Sequence, residues 1–329
     1  MNTELKTNNT LLSPDLNLRP AQWTDLDAVA QLILDVCTND GDPTVAVTTE
    51  ELAREWKSPG FVLEKNAFVV ETSDGRIVGF EEFDNKHAHA DLMGDGYVHP
   101  DFMGRGIGTA MLRALEVRAR EDMELAEPDL RVFIRNGMSI GDTVARAMHE
   151  SEGYKAIRFS WRMEITLDEA PSLPKFPDGI ELRPFEMEHD LAVYKAHEEA
   201  FSDHWGHTPR PYEDWTHRMK DNDRSLWLIA WDGDQIAGYS LNRPRMGIGW
   251  VGTLGVRRAW RKRGLGKALL LQSFAELYKR GHSVIGLGVD ASSPTGATRL
   301  YQKAGMKVAA EYVIYEKELR SGREPEGQE

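Results

Sequence analysis

The sequence has one cysteine, Cys37, among 329 residues, so no disulfide can form within the chain and stability must come from packing. A lone thiol suits a reducing compartment, and the expected location is cytoplasmic. No apolar run approaches the roughly 20 residues that a membrane span requires. The first sixteen residues are polar, so neither a signal peptide nor an anchor is expected, and no membrane partner. Positive charge is also scarce: 40 Lys and Arg face 53 Asp and Glu, a net charge of -13. That deficit argues against nucleic acid as a partner and favours a cationic or amine-bearing small substrate. What is present is ordinary globular material, 41% apolar and 28% charged, in a chain long enough for two domains.

Against the acidic background, residues 250–281 stand out. An apolar run, Trp250-Val251-Gly252-Thr253-Leu254-Gly255-Val256, reads as a strand and leads into a turn in which five of the seven residues 257–263 are cationic. Two glycines follow, Gly264 and Gly266, and then a helical pattern with Leu265, Ala268, Leu269, Ala275 and Tyr278 on one face, stopping at Gly281. A glycine-rich turn opening a helix presents backbone N–H groups at the positive end of the helix dipole, so the stretch predicts a bound anion. A dinucleotide fingerprint needs a small residue where Leu269 stands. A P-loop needs glycine at Arg261 and a hydroxyl at Ala268. What is left, Arg261-x-x-Gly264-x-Gly266 after a strand, resembles the acyl-CoA signature of the GNAT acetyltransferase superfamily.

The chain also repeats itself. Leu18-Arg19-Pro20 returns as Leu182-Arg183-Pro184, the hairpin around Asp74-Gly75 as that around Asp232-Gly233, Gly104-Arg105-Gly106-Ile107-Gly108 as Lys262-Arg263-Gly264-Leu265-Gly266, and Gly153-Tyr154 as Gly305-Met306. The offset shrinks from 164 to 152 residues, as loop-length differences between two copies of one fold produce. The first copy reads as a strand at 16–20, helices at 25–38 and 49–56, a hairpin, a strand at 96–99, a helix at 106–120, a strand at 130–135, a helix at 143–152 and a closing strand at 157–165. Domains are therefore expected at 1–167 and 180–320, joined by a proline-rich linker at 168–179, with a disordered tail at 321–329.

Together these features resemble tandem GNAT proteins, with an architecture similar to that of the mycothiol synthases. The resemblance implies an α+β class with two tandem GNAT domains, each a mixed, mostly antiparallel sheet flanked by helices and splayed at its centre to admit a pantetheine arm. It implies acetyl-CoA as co-substrate and transfer of an acetyl group to a primary amine of a small molecule, in a monomer or homodimer. A non-catalytic acyl-CoA sensor and a protein or peptide N-acetyltransferase are the alternatives.

Residue by residue, the resemblance places coenzyme A on Leu254, Gly255, Val256, Arg261, Lys262, Arg263, Gly264, Leu265, Gly266, Lys267, Ser293 and Tyr301. The helix 294–304, capped by Ser293 with Pro294 at its first position, carries Tyr301 as general acid toward the departing thiolate. A phenol near 10 faces a thiol near 8.5, a gap of roughly two kcal/mol. The glutamate base of the mycothiol synthases falls at Trp250, so His204 or Asp203 is the candidate base, against a plainer reading of that segment as a solvated polar loop. In the first copy Val98, Arg105, Gly106 and Gly108 could contact a second coenzyme A, but Met103 replaces Arg261 and His149 replaces Tyr301. That half reads as binding or structural, with His149 as acid the rival reading. His87, His89 and Asp91 alternate as strand ligands would, yet no further cluster supports a metal, and none is expected.

Overall fold

The computed structural model describes residues 10–220, 222–293 and 295–325. The chain divides into two compact units, Met1–Phe159 with Tyr312–Pro325 (unit 1) and Ser160–Glu311 (unit 2).

Unit 1 opens with β1 (Leu16–Pro20) and the helices α1 (Leu26–Asn39), α2 (Thr49–Glu55) and the short α3 (Leu63–Asn66). In α1 the buried residues Val29, Ala30, Leu32, Ile33, Val36 and Cys37 recur at helical spacing, which is why one face turns to the sheet. A capping box of Thr48 and Glu51 starts α2. Then come β2 (Ala67–Thr72), β3 (Ile77–His87), β4 (Asp91–Val98), α4 (Ile107–Met123), β5 (Val132–Ser139), α5 (Thr143–Ser151) and β6 (Lys155–Thr166). Strands β1 to β4 pair antiparallel in order, and β4 meets β5 in parallel. Helix α4 packs on this sheet so tightly that Gly79 has no room for a side chain: a Cβ there would sit 2.7 Å from Ile107 and 2.9 Å from Met111.

Unit 2 repeats the plan with β7 (Ile180–Arg183), α6 (Asp190–Phe201), α7 (Tyr212–Met219), β8 (Trp227–Asp232), β9 (Gln235–Arg245), β10 (Ile248–Val256), α8 (Leu265–Lys279), β11 (Val284–Asp290), α9 (Ala297–Lys303) and β12 (Lys307–Arg320). Its strands β7 to β10 pair antiparallel in order, and β10 meets β11 in parallel. The buried face of α8 is Leu265, Ala268, Leu269, Leu270, Ser273, Phe274 and Leu277, so the expected face is right in its first half. It is rotated in its second, where Phe274 and Leu277 take the places assigned to Ala275 and Tyr278.

The parallel contact is short in both units. In unit 1 it covers only Asp91–Gly94 of β4, and in unit 2 only Gly249 and Trp250 of β10. Beyond those residues the central strands part, which is the splay that the resemblance implies. The later part of β10, through Leu254, Gly255 and Val256, pairs with β9 on one side only, leaving main-chain groups that an extended ligand can pair with as an added strand would.

The closing strands depart from the expected boundaries. From Ser160 onward β6 pairs with β11 and belongs to unit 2, while β12 from Tyr312 pairs with β5 and belongs to unit 1. Each unit is thus completed by the last strand of the other repeat. In unit 1, Val313 and Tyr315 are buried beside Leu92, Leu112, Ile134 and Tyr154, each worth about 1.5–3 kcal/mol of burial. Arg131, just before β5, and Arg135 on β5 pair with Glu316 and Glu318 on β12. In unit 2, Met163 is fully buried against Leu270, Phe274 and Leu287. Part of the expected disordered tail is ordered: the Arg323 backbone donates to Asp129 O and accepts from Arg131 N. Residues 326–329 of that tail lie outside the described residues.

Among the described residues no helix is long and apolar enough to cross a membrane, and no group of three His, Cys, Asp or Glu could hold a metal. Two of the alternating trio have other partners: His89 Nδ1 lies 2.7 Å from Asp122, and Asp91 lies 3.4 Å from Arg135.

Candidate active site

In unit 2, β10 ends at Val256 and a single 3-10 turn, Arg258–Trp260, leads to Lys262 and Gly264, both left-handed with φ of 62° and 87°. Two such residues so close reverse the chain before α8 begins at Leu265, with Gly264 as N-cap and no side chain capping the helix. A Cβ at Gly264 would meet nothing within 4 Å; glycine is required there for its backbone angle, and the space in front of it is open. Gly266 also has room, with Val256 at 3.6 Å. The exposed helix start is therefore ready for an oxyanion.

The cations of the turn divide into two sets. Arg257 Nε binds Glu199 at 2.6 Å, Arg258 pairs with Asp203, and Arg261 Nη1 binds Asp203 at 2.6 Å while Nε donates to Val256 O and Nη2 to Ala200 O. These three fasten the turn to the end of α6. Arg261 therefore shapes the turn rather than facing solvent with its charge free. Lys262, Arg263 and Lys267 are exposed and make no side-chain hydrogen bond or ion pair among the described residues, so they are the ones available to phosphate.

That ion-pair network bears on the candidate bases. The guanidinium groups of Arg258 and Arg261 pull the Asp203 carboxyl down to about 2, which makes it a weak proton acceptor. Asp203 is an anchor of the turn. His204, packed against Phe201 with ring centroids 4.4 Å apart, has its pKa lowered by burial and is neutral at pH 7.

Two neighbours went unread in the sequence. His197 on α6 meets the Tyr239 hydroxyl at 3.0 Å and is pushed down to about 4 by burial and by the charges of nearby histidines and arginines. Tyr239 stands opposite Gly255 in the β9–β10 ladder, and a Cβ at Gly255 would overlap its ring and hydroxyl. A glycine inside an apolar strand was the available signal, because such glycines mark close approach of another group.

Tyr301 lies on α9, 8% exposed, packed among Leu270, Leu287 and Met306, with no side-chain hydrogen bond among the described residues. Burial pushes its hydroxyl up to about 12. The helix that carries it begins later than expected: Gly296, left-handed at φ 73°, is the N-cap, and Ser293 lies in the preceding turn with its hydroxyl 2.9 Å from Thr295. Pro294 lies outside the described residues. Trp250, at the expected glutamate position, lays its ring against Gly286, whose Cβ would sit 2.8 Å away, and fills the closed end of the splay.

Unit 1 places its candidates differently. Val98 ends β4, and Gly106 caps α4 with φ 85°. A Cβ at Gly106, unlike one at Gly264, would overlap the carbonyl of Leu11, and one at Gly108 would lie 2.9 Å from Met148. Arg105 is held by both oxygens of Asp15 at 2.6 and 2.7 Å. His149 is 6% exposed, with Nδ1 2.9 Å from Ala145 O. A carbonyl only accepts, so Nδ1 carries the proton and Nε2 is left as a lone pair with no partner. Burial also lowers its pKa. A neutral imidazole in that tautomer has no proton to give at Nε2, which removes the reading of His149 as general acid.

Comparison with known proteins bears on the family and the fold. The model of the Acetyltransferase (GNAT) family matches residues 191–306, and that of the Acetyltransferase (GNAT) domain matches residues 64–156. The mycothiol acetyltransferase of Thermomonospora curvata is 31% identical over 249 residues, 74% of this chain and 80% of the relative, and that of Thermobispora bispora is 31% identical over 64% of this chain and 71% of the relative. Among solved structures, a GCN5-related N-acetyltransferase from Sphaerobacter thermophilus is 36% identical with a TM-score of 0.81, covering 95% of this chain and 99% of that one. A tandem GNAT protein from the clavulanic acid biosynthesis pathway shares the fold at 17% identity and a TM-score of 0.71, covering 94% of this chain and 100% of its own. With two GNAT domains in tandem, a splayed sheet in each and relatives at this level of identity, the chain belongs to the GNAT N-acetyltransferases, enzymes that use acetyl-CoA.

Proposed function

We propose that unit 2 is the catalytic half and transfers an acetyl group from acetyl-CoA to a primary amine of a small molecule by direct attack. The observation that carries this reading is the open turn at Gly264, with Lys262, Arg263 and Lys267 unengaged around a helix start that lacks a cap. When bound, acetyl-CoA supplies a thioester carbonyl for the amine to attack. The diphosphate sits on the amides of Gly264, Leu265, Gly266 and Lys267, and the main chain of Leu254, Gly255 and Val256 orients the arm in the splay and donates to the carbonyl oxygen.

His204 takes the proton from the amine, which must be uncharged to react. Tyr301 returns a proton to the leaving sulfur. Against an ordinary thiol near 8.5, a hydroxyl at about 12 faces a gap of about 5 kcal/mol. The desolvation that raises Tyr301 also raises a thiol at the same place, so the gap narrows once both lie in the closed site. Trp250 in place of the glutamate means that the acceptor of the mycothiol acetyltransferases is not carried over to this chain.

The test is release of free thiol from acetyl-CoA across an amine panel. Turnover that needs the amine and is lost in Tyr301→Phe is the expected result. Tight acetyl-CoA binding with no turnover on any amine would overturn the catalytic reading.

A further inference from the structure

The two turns carry the same backbone and differ in what stands against them. In unit 1 the Leu11 carbonyl stands where a Cβ on Gly106 would be, at the N-cap of the 17-residue helix α4. Leu12 is 8% exposed and packs with Ile107, Ala110 and Met111 of the first turns of that helix. Asp15 places its carboxylate on Arg105, and the pair holds Asp15 below the usual carboxylate range. The segment is fixed at its other end by the turn from Ser13 O to Leu16 N at 2.9 Å and by β1. In unit 2 the residue aligned with Leu12 is Phe176, which packs near Leu265, yet among the described residues nothing comes within 4 Å of a Cβ placed on Gly264.

We infer that residues 11–15 form a strap that covers the glycine turn of unit 1, with the Leu11 carbonyl against Gly106 and the Asp15 carboxylate on Arg105, so that the protein takes up one acyl-CoA, in unit 2, and none in unit 1. The inference rests on the reading of the glycine turn as the diphosphate site. The geometry is that of a covered site: the Leu11 carbonyl stands against Gly106, the Asp15 carboxylate neutralises the arginine of the motif, and Leu12 packs on the first turns of α4. Met103, where unit 2 has Arg261, leaves the closed turn without the arginine that ties its counterpart to the neighbouring helix.

The experiment is calorimetric stoichiometry with acetyl-CoA on the full chain, together with amide hydrogen exchange with and without it. The expected result is one equivalent bound, with protection at residues 257–267 and none at 104–109. Two equivalents, or protection at both turns, would overturn the strap while leaving the diphosphate reading intact. No binding at all, or protection at neither turn, would overturn the diphosphate reading itself, and the strap with it.

The double variant Leu12→Asn/Asp15→Asn then releases the segment, with the thermal midpoint of unfolding measured alongside. A second equivalent, about tenfold weaker or more, is expected to appear together with new protection at 104–109. A folded double variant that still binds one equivalent would overturn the claim that the strap is what closes the turn. If the variant does not fold, Asp15→Asn alone, which leaves Leu12 in the core, is read the same way by exchange.

Discussion

The glycine turns of the two units are backbone twins with φ of 85° at Gly106 and 87° at Gly264, each capping a long helix after a central strand. Their surroundings are opposite. At Gly264 there is open space and a fringe of unengaged cations; at Gly106 there is the Leu11 carbonyl and an arginine already neutralised by Asp15. The contrast extends to the proposed acid and its counterpart: Tyr301 keeps a hydroxyl hydrogen, whereas the His149 Nδ1–H donates to Ala145 O. A duplicated loop can therefore keep its shape while its surroundings diverge, because shape depends on glycine angles and the space in front of them is set by other segments.

The largest expected effect in breaking that comparison is at the proton donors. Tyr301→Phe should lower kcat by about a hundredfold to ten-thousandfold, the usual range for losing a general acid, with little change in the KM for acetyl-CoA. His149→Phe should leave kcat where it was. Equal losses in the two variants would make unit 1 a catalytic half after all.

Next come the charges at the turns. Lys262→Glu with Arg263→Glu should raise the KM for acetyl-CoA by about tenfold to a hundredfold, since charge-assisted contacts are worth about 1.5–3 kcal/mol. Arg105→Glu in unit 1 should leave that KM unchanged. Steady-state kinetics at fixed ionic strength decides, because the effect is screened by salt.

His204 should govern the acid side of the rate profile. A base acts in its neutral form, so the rate should fall as pH drops through a His204 pKa that lies below the ordinary 6.5. His204→Gln should flatten that limb, whereas Asp203→Asn should act through the turn, raising the KM for acetyl-CoA and keeping the pH profile.

The smallest effect concerns the sheets. Glu82 on β3 is raised from 4.5 to about 8, by burial first and then by the charges of Glu55 and Asp95, where unit 2 has the buried Leu241. A carboxyl raised on folding binds its proton more tightly in the native state, so its stabilisation is complete below 4.5 and is lost as pH rises toward 8. Glu82→Gln should reduce the loss of unit 1 stability between those values, seen as a smaller shift in the denaturation midpoint. An unchanged pH dependence would mean that Glu82 is ionised without penalty in the folded protein.

Much of this was readable from residue order. The repeat, the strand and helix alternation and the acyl-CoA signature all depend on local pattern and on glycines whose angles few other residues adopt. Three things were not. The closing strands β6 and β12 carry similar alternation, so only the burial of Met163 in one unit and of Val313 and Tyr315 in the other assigns them. The five cations of the turn look alike in a sequence, and acids 55 to 59 residues away single out which of them are engaged. The start of α9 at Ala297, after Gly296 rather than beside Ser293, depends on a left-handed residue inside a segment that reads as helix throughout.

Residue order by itself determined that the chain is two copies of one fold with a glycine turn before a long helix in each, because backbone angle, hydrophobic period and helix start are short-range properties. Tertiary structure decided which copy keeps its turn open, which arginines are tied down and which of the neighbouring acids and imidazoles can take a proton. Those outcomes are set by groups distant in sequence: Asp203 meets Arg258 and Arg261, Asp15 meets Arg105, and burial lowers the pKa of the His149 and His204 imidazoles.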